Sequence, residues 1–121
     1  MKVAIATDDG KTVSQDLGSA KFYLVVTVSR SKTKGRELRL KARRVPSRWD
    51  DGEINPVRGV GSFIQPVEDC QLLIVGGMSR AEDQDFKRLG KATRLTDLAL
   101  VEDILAALVR GRLDDHPERA R

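Results

Sequence analysis

Gln71-Leu72-Leu73-Ile74-Val75-Gly76-Gly77-Met78-Ser79-Arg80-Ala81-Glu82 is the stretch that decides the fold. Its first half is a short apolar run, the pattern of a strand buried on both faces of a parallel sheet. Gly76-Gly77 ends that strand. Ser79 and Glu82 are spaced as a capping box, in which each side chain bonds the other residue's backbone N–H. A helix is therefore predicted from Ser79 to about Leu89, with Gly90 as its left-handed stop. Strand, glycine turn and helix follow within a dozen residues, the core of an α/β unit.

The same pattern extends outward. Lys2 to Thr7 reads as a first strand, and Asp8-Asp9-Gly10-Lys11 breaks it with strong turn chemistry. Thr12 to Ser19 is a short polar stretch. Phe22 to Val28 is a second strand, rich in β-branched and aromatic residues. Lys32-Thr33-Lys34-Gly35 is a turn, and Arg36 to Val45 is a third strand, which completes an antiparallel hairpin. In that strand Leu38, Leu40 and Ala42 are expected on one face, with Glu37, Arg39, Lys41 and Arg43 on the other.

Pro46 to Arg58 reads as a loop, and Ser62 to Asp69 as a short helical segment limited by Pro66. Ala92 to Leu95 is a last short strand. Leu98, Val101, Ile104, Leu105 and Leu108 form a helical apolar stripe closed by Gly111. The element order predicts an α/β fold with a mixed five-stranded sheet, opening with an antiparallel hairpin and carrying helices on both faces. Residues 1–113 form the expected single domain, and 114–121 a charged C-terminal tail expected to fray.

The chain has 121 residues, 40% of them apolar and 33% charged, an ordinary composition for one globular domain. One cysteine, Cys70, excludes an internal disulfide. Met1 leads straight into a strand pattern, so no leader is expected. No apolar run approaches the roughly 20 residues that span a bilayer. A cytoplasmic protein with no membrane partner is the expectation. The net charge is +4. Nine basic residues lie between Arg30 and Arg48 and only Glu37 opposes them, so the remainder of the chain is net acidic.

Four stretches could carry chemistry. Asp8-Asp9-Gly10 could hold a metal through paired carboxylates; a turn whose aspartates bond local N–H groups is the favoured reading. Cys70 is a candidate thiolate ligand, but it lacks a neighbouring histidine or second cysteine, and burial as a small hydrophobe is favoured. The basic stripe, with Trp49 nearby, could meet nucleic acid or an acidic protein. Basic side chains that protect a sheet edge explain it better, and nucleic acid is not expected.

Gly76-Gly77-Met78-Ser79 leaves the C-terminal end of a strand and opens a helix, where open α/β sheets bind ligands. Glycines admit a ligand close to the backbone, and helix N–H groups favour an anion. A tight turn with Met78 in the core is the equal alternative.

The opening residues Met1 to Ser14, with Thr7-Asp8-Asp9-Gly10 at their centre, and the later run Asp69-Cys70-Gln71-Leu72-Leu73-Ile74-Val75-Gly76-Gly77-Met78, resemble the dinitrogenase iron-molybdenum cofactor biosynthesis family. The resemblance covers residues 1 to about 28 and about 59 to 113. It implies a ribonuclease-H-like fold and a non-enzymatic role in carrying or inserting metal-sulfur clusters such as the iron-molybdenum cofactor. A related small protein, the orange protein, carries a molybdenum-copper-sulfide cluster.

The binding set the resemblance implies is Asp9, Gly10, Asp16, Gly18, Gly76, Gly77, Met78 and Ser79, with cofactor-assembly proteins as partners. One departure stands out. Where the family often has His-Phe-Gly, this chain has Asp16-Leu17-Gly18. That histidine is the family's favoured candidate for cluster contact, and a carboxylate is a hard ligand ill-suited to a metal sulfide. Two readings stay open on this departure: the contact is lost and the cluster with it, or the ligand is changed. The alternatives are a cofactor-free scaffold that docks through the basic hairpin, or a metal-dependent nuclease of ribonuclease-H-like topology. The latter would need convergent carboxylates around Asp8.

Overall fold

The computed structural model describes residues 1–31, 35–44, 67, 69–111, 115–116 and 119, with the backbone alone for 19, 29–31 and 35–44. The loop over 46–58 with Trp49, nearly all of the helical segment over 62–69, and the side chains of the basic stripe lie outside the described residues.

The strands are β1 (Lys2–Thr7), β2 (Phe22–Ser31), β3 (Gly35–Arg44), β4 (Leu72–Val75) and β5 (Ala92–Leu95). They form one mixed sheet in the order β3-β2-β1-β4-β5. β2 runs antiparallel to both β1 and β3, whereas β4 is parallel to β1 and to β5. Two helices, α1 (Arg80–Arg88) and α2 (Val101–Arg110), follow β4 and β5. Among the described residues, no helix is long and apolar enough to cross a membrane.

Alternation along the strands divides the core into two layers. Ala4, Ala6, Tyr23, Val25, Leu73 and Val75 face one layer, which Phe86 of α1 closes. Val3, Ile5, Val26, Val28 and Ile74 face the other, where Val101, Ile104 and Leu108 of α2 pack. The two helices thus cover opposite faces. β1 and β4 are buried over nearly their whole length because both faces are covered.

Helix α1 has the capping box its sequence predicts. Ser79 Oγ accepts from Glu82 N at 3.1 Å, and Glu82 Oε1 accepts from Ser79 N at 3.0 Å. Its C-terminus closes as a Schellman motif. Lys91 N donates to Phe86 O, Gly90 N donates to Lys87 O, and Gly90 takes a φ of 77°.

Two expectations need correction. The alternation along β3 is interrupted: Val26 stands opposite Lys41, but Thr27 stands opposite Arg39. Residue 40 is the extra residue of a β-bulge, so positions 36–39 and 41–44 are out of phase. The second correction concerns the tail, whose described residues Asp115, His116 and Arg119 are bonded to the rest of the fold rather than frayed. His116 N donates to Leu95 O at 2.7 Å, and Leu95 N donates to Asp115 Oδ1 at 2.9 Å. β5 is an edge strand, so its outward N–H and C=O need partners, and the tail supplies them.

Candidate functional site

β1, β4 and β5 are parallel, so their C-terminal ends meet at one edge of the sheet. Every residue of the expected binding set lies in the loops at that edge. Residues 8–21 join β1 to β2, residues 76–79 join β4 to α1, and residues 96–100 join β5 to α2.

The Asp8-Asp9-Gly10 turn is self-contained. Asp9 Oδ1 accepts from Lys11 N and Thr12 N, both at 2.8 Å, and from the Thr12 hydroxyl at 3.0 Å. Bonds from the Thr12 and Lys11 backbone hold the Asp9 carboxyl at about 2, below its ordinary 3.8. Gly10 takes a φ of 79°, a left-handed conformation that costs glycine nothing. Thr7 Oγ1 accepts from Gly10 N, and Asp8 Oδ1 accepts from Lys21 N. These aspartates build the loop.

The loop then passes across the sheet edge and fills the space between the ends of β1 and β4. Ser14 N donates to Ala6 O, and Gly76 N donates to Ser14 O at 2.7 Å. Leu17 N donates to Gly77 O at 2.9 Å. On its other side Val13 N donates to Ala99 O, and Val101 N donates to Lys11 O. Leu17, in the short 3-10 turn Leu17–Ser19, is fully buried. Asp16 is half-buried, with its carboxylate 3.3 Å from where a Cβ on Gly18 would stand.

The glycine turn is covered. Gly76 and Gly77 are buried, and Met78 is sealed in the core beside Phe86 and Leu17. A Cβ on Gly76 would lie 2.8 Å from the Gln15 amide nitrogen, so the absence of a side chain makes room for Gln15. Arg119 Nη1 donates to Gly76 O at 3.2 Å and to Gln15 Oε1 at 3.3 Å. Arg119 O accepts a long 3.5 Å bond from Met78 N. Gln15 and Arg119 escape a sequence reading because nothing local marks them: one is a polar loop residue, the other sits in an unpatterned tail.

Soft donors are not gathered here. Cys70 is buried before β4, at the opposite end of that strand from Gly76. His116, held beside β5 by its bond to Leu95, has Nε2 3.4 Å from Asp97 Oδ1. Beside the glycine turn lies an open cleft of about 530 Å³ whose lining includes Asp8, Asp16 and Asp97. Among the described residues no three His, Cys, Asp or Glu side chains converge closely enough to hold a metal ion. Among the described residues the edge presents one guanidinium and a carboxylate rim, while the Gly76 and Met78 amides are bonded within the chain.

These features define a mixed α/β domain with its candidate residues concentrated in the loops at the C-terminal ends of three parallel strands. The chain belongs to the dinitrogenase iron-molybdenum cofactor family, whose model matches residues 1–111. The crystal structure of PH0822 is similar at a TM-score of 0.75 and 17% identity, covering 96% of this chain and 96% of that one. A candidate dinitrogenase from Methanocaldococcus jannaschii gives a TM-score of 0.68 at 19% identity, covering 96% and 94%. A candidate NifB protein from Thermotoga gives 0.56 at 16%, covering 94% and 91%. At these identities the likeness speaks to the fold. No curated protein matches the sequence.

Proposed function

We propose that this protein is a non-catalytic binding protein for an anionic metal-sulfur cluster of the iron-molybdenum type, acting in cofactor assembly. The observation that carries the reading is the family match over residues 1–111. The geometry supports it in one respect: the two family-like stretches, around Asp9 and around Gly76, meet at one sheet edge through Gly76 N to Ser14 O and Leu17 N to Gly77 O. The strand order β3-β2-β1-β4-β5, with β2 antiparallel, supports a ribonuclease-H-like assignment.

The cluster is cargo in this reading. With Met78 and Cys70 buried, the chain would hold it through backbone amides at the glycine turn, released from their present partners, more than through sulfur or imidazole ligands. The carboxylates of the adjacent cleft would repel an anion, which directs the guest to the glycine turn.

Mixing the apo protein anaerobically with an iron-molybdenum-sulfide cluster tests the proposal. A charge-transfer absorption band retained on gel filtration, with a raised melting temperature, is the expected outcome. Neither band nor shift at excess cluster overturns it.

A further inference from the structure

Asp115, His116 and Arg119 lie beyond the last residue matched by the family model, yet Arg119 reaches the glycine turn. Their docking points run in order along the sheet edge. Asp115 Oδ1 accepts from Leu95 N, and His116 N donates to Leu95 O. His116 Nε2 lies 3.4 Å from Asp97, and Arg94 lies 3.9 Å from Asp115. Arg119 N donates to His116 O, which turns the chain toward β4. Arg119 then binds Gly76 O and Gln15 Oε1 through one guanidinium nitrogen, and receives Met78 N on its own carbonyl.

Three groups that an anion would use at this corner are thus engaged by the chain itself. Gly76 N is bonded to Ser14, Met78 N is bonded to Arg119, and the space over Gly76 is filled by Gln15. Of these covers, Ser14 belongs to a segment bonded on both sides. The Arg119 contacts are long and half-exposed, which makes them the ones that can open locally.

We propose that Asp115, His116 and Arg119 act as a strap that Arg119 latches over the Gly76–Gly77 turn, and that the strap must lift before an anionic guest can reach the backbone there. The Asp115 and His116 bonds to Leu95 act as the hinge end, and the Arg119 bonds to Gly76 and Gln15 as the free end. Lifting the free end releases Gln15 Oε1, whose Nε2 still donates to Val13 O, and uncovers Met78 N. The guest-competition half of the proposal rests on the cluster-binding reading; the latch itself does not.

The experiment uses the full chain as wild type, Arg119→Ala and Arg119→Lys. Residue-resolved amide exchange is read at Gly77 and Met78, against β1 and β4 amides as internal controls. In Arg119→Ala, exchange at Met78 is expected to rise about tenfold, the scale of losing one partly exposed charge-assisted bond. The control amides should hold, and Arg119→Lys should fall between. Unchanged exchange at Met78, or an equal rise in β1 and β4, overturns the latch.

Association of tetrathiomolybdate, a small sulfide-bearing anion, is followed by its absorbance in the same three proteins. Faster association in Arg119→Ala supports competition by the strap. Slower association overturns it, because Arg119 would then be a contact for the guest. No association in any variant overturns the competition half together with the cluster reading, and leaves the exchange result to decide the latch.

Discussion

The two glycine turns at this sheet edge end neighbouring parallel strands, yet they are held by opposite means. The Asp9–Gly10 turn is exposed and closes on itself, with every bond to Asp9 coming from within three residues. The Gly76–Gly77 turn is buried and is held by residues remote in sequence: Ser14, Gln15, Leu17 and Arg119. A turn that carries its own acceptor is autonomous. A turn made only of glycine backbone takes on whatever the tertiary structure lays over it. Gly76, Gly77, Met78 and Ser79 of the expected binding set lie on the second kind, whose accessibility depends on parts of the chain that the motif does not contain.

The largest test of that contrast acts through α1. Phe86 is the buried residue by which this helix grips the sheet. Phe86→Ala should cost about 3–5 kcal/mol in urea denaturation. Amide exchange should show the Gly76–Gly77 turn losing more protection than Lys11 and Thr12. Equal losses at both turns would erase the distinction.

A second comparison sets one glycine against the other. Gly76→Ala pushes against the mobile end of Gln15, so it should cost about 1 kcal/mol or less, and Gln15→Ala in the same chain should recover part of that loss. Gly10→Ala forces a side chain into a φ of 79°, for about 1 kcal/mol that no distant substitution restores. A double-mutant cycle by thermal or chemical denaturation reads both. Strict additivity of Gly76→Ala and Gln15→Ala would show that the buried turn does not depend on its cover.

The smallest effect concerns acid. The Asp9 carboxyl sits at about 2 when folded, against an ordinary 3.8. A depressed folded value means the stabilisation is complete above about pH 4 and is lost as the pH falls toward 2. Asp9→Asn removes this titration, so its stability should vary less between pH 4 and 2 than the wild type's. Identical slopes in acid denaturation would show that the turn does not rely on the charge.

Much of the local architecture was legible. The capping box at Ser79 and Glu82, the stop at Gly90, the limits of β1 and β5 and the apolar face of α2 all follow from short-range patterns, because the interactions that define them span a few residues. The alternation over 36–45 misled, since a bulge at residue 40 leaves the composition of the strand unchanged. The candidate site was legible as a place but not as a surface. Asp9, Gly10, Asp16, Gly18 and residues 76–79 gather at one edge; of the two equal readings of the glycine turn, the one with Met78 in the core is what the structure shows, and nothing local marked Gln15 and Arg119 as its cover.

The sequence by itself determined the limits of β1 and β5, the caps of α1, which side chains pair across one turn, and which family the chain resembles. Each of those depends on neighbours a few bonds away. Only the tertiary structure decided what covers the Gly76–Gly77 turn. Bare glycine backbone carries no side-chain instruction, so its partners are chosen by which remote segments the sheet brings within hydrogen-bond reach.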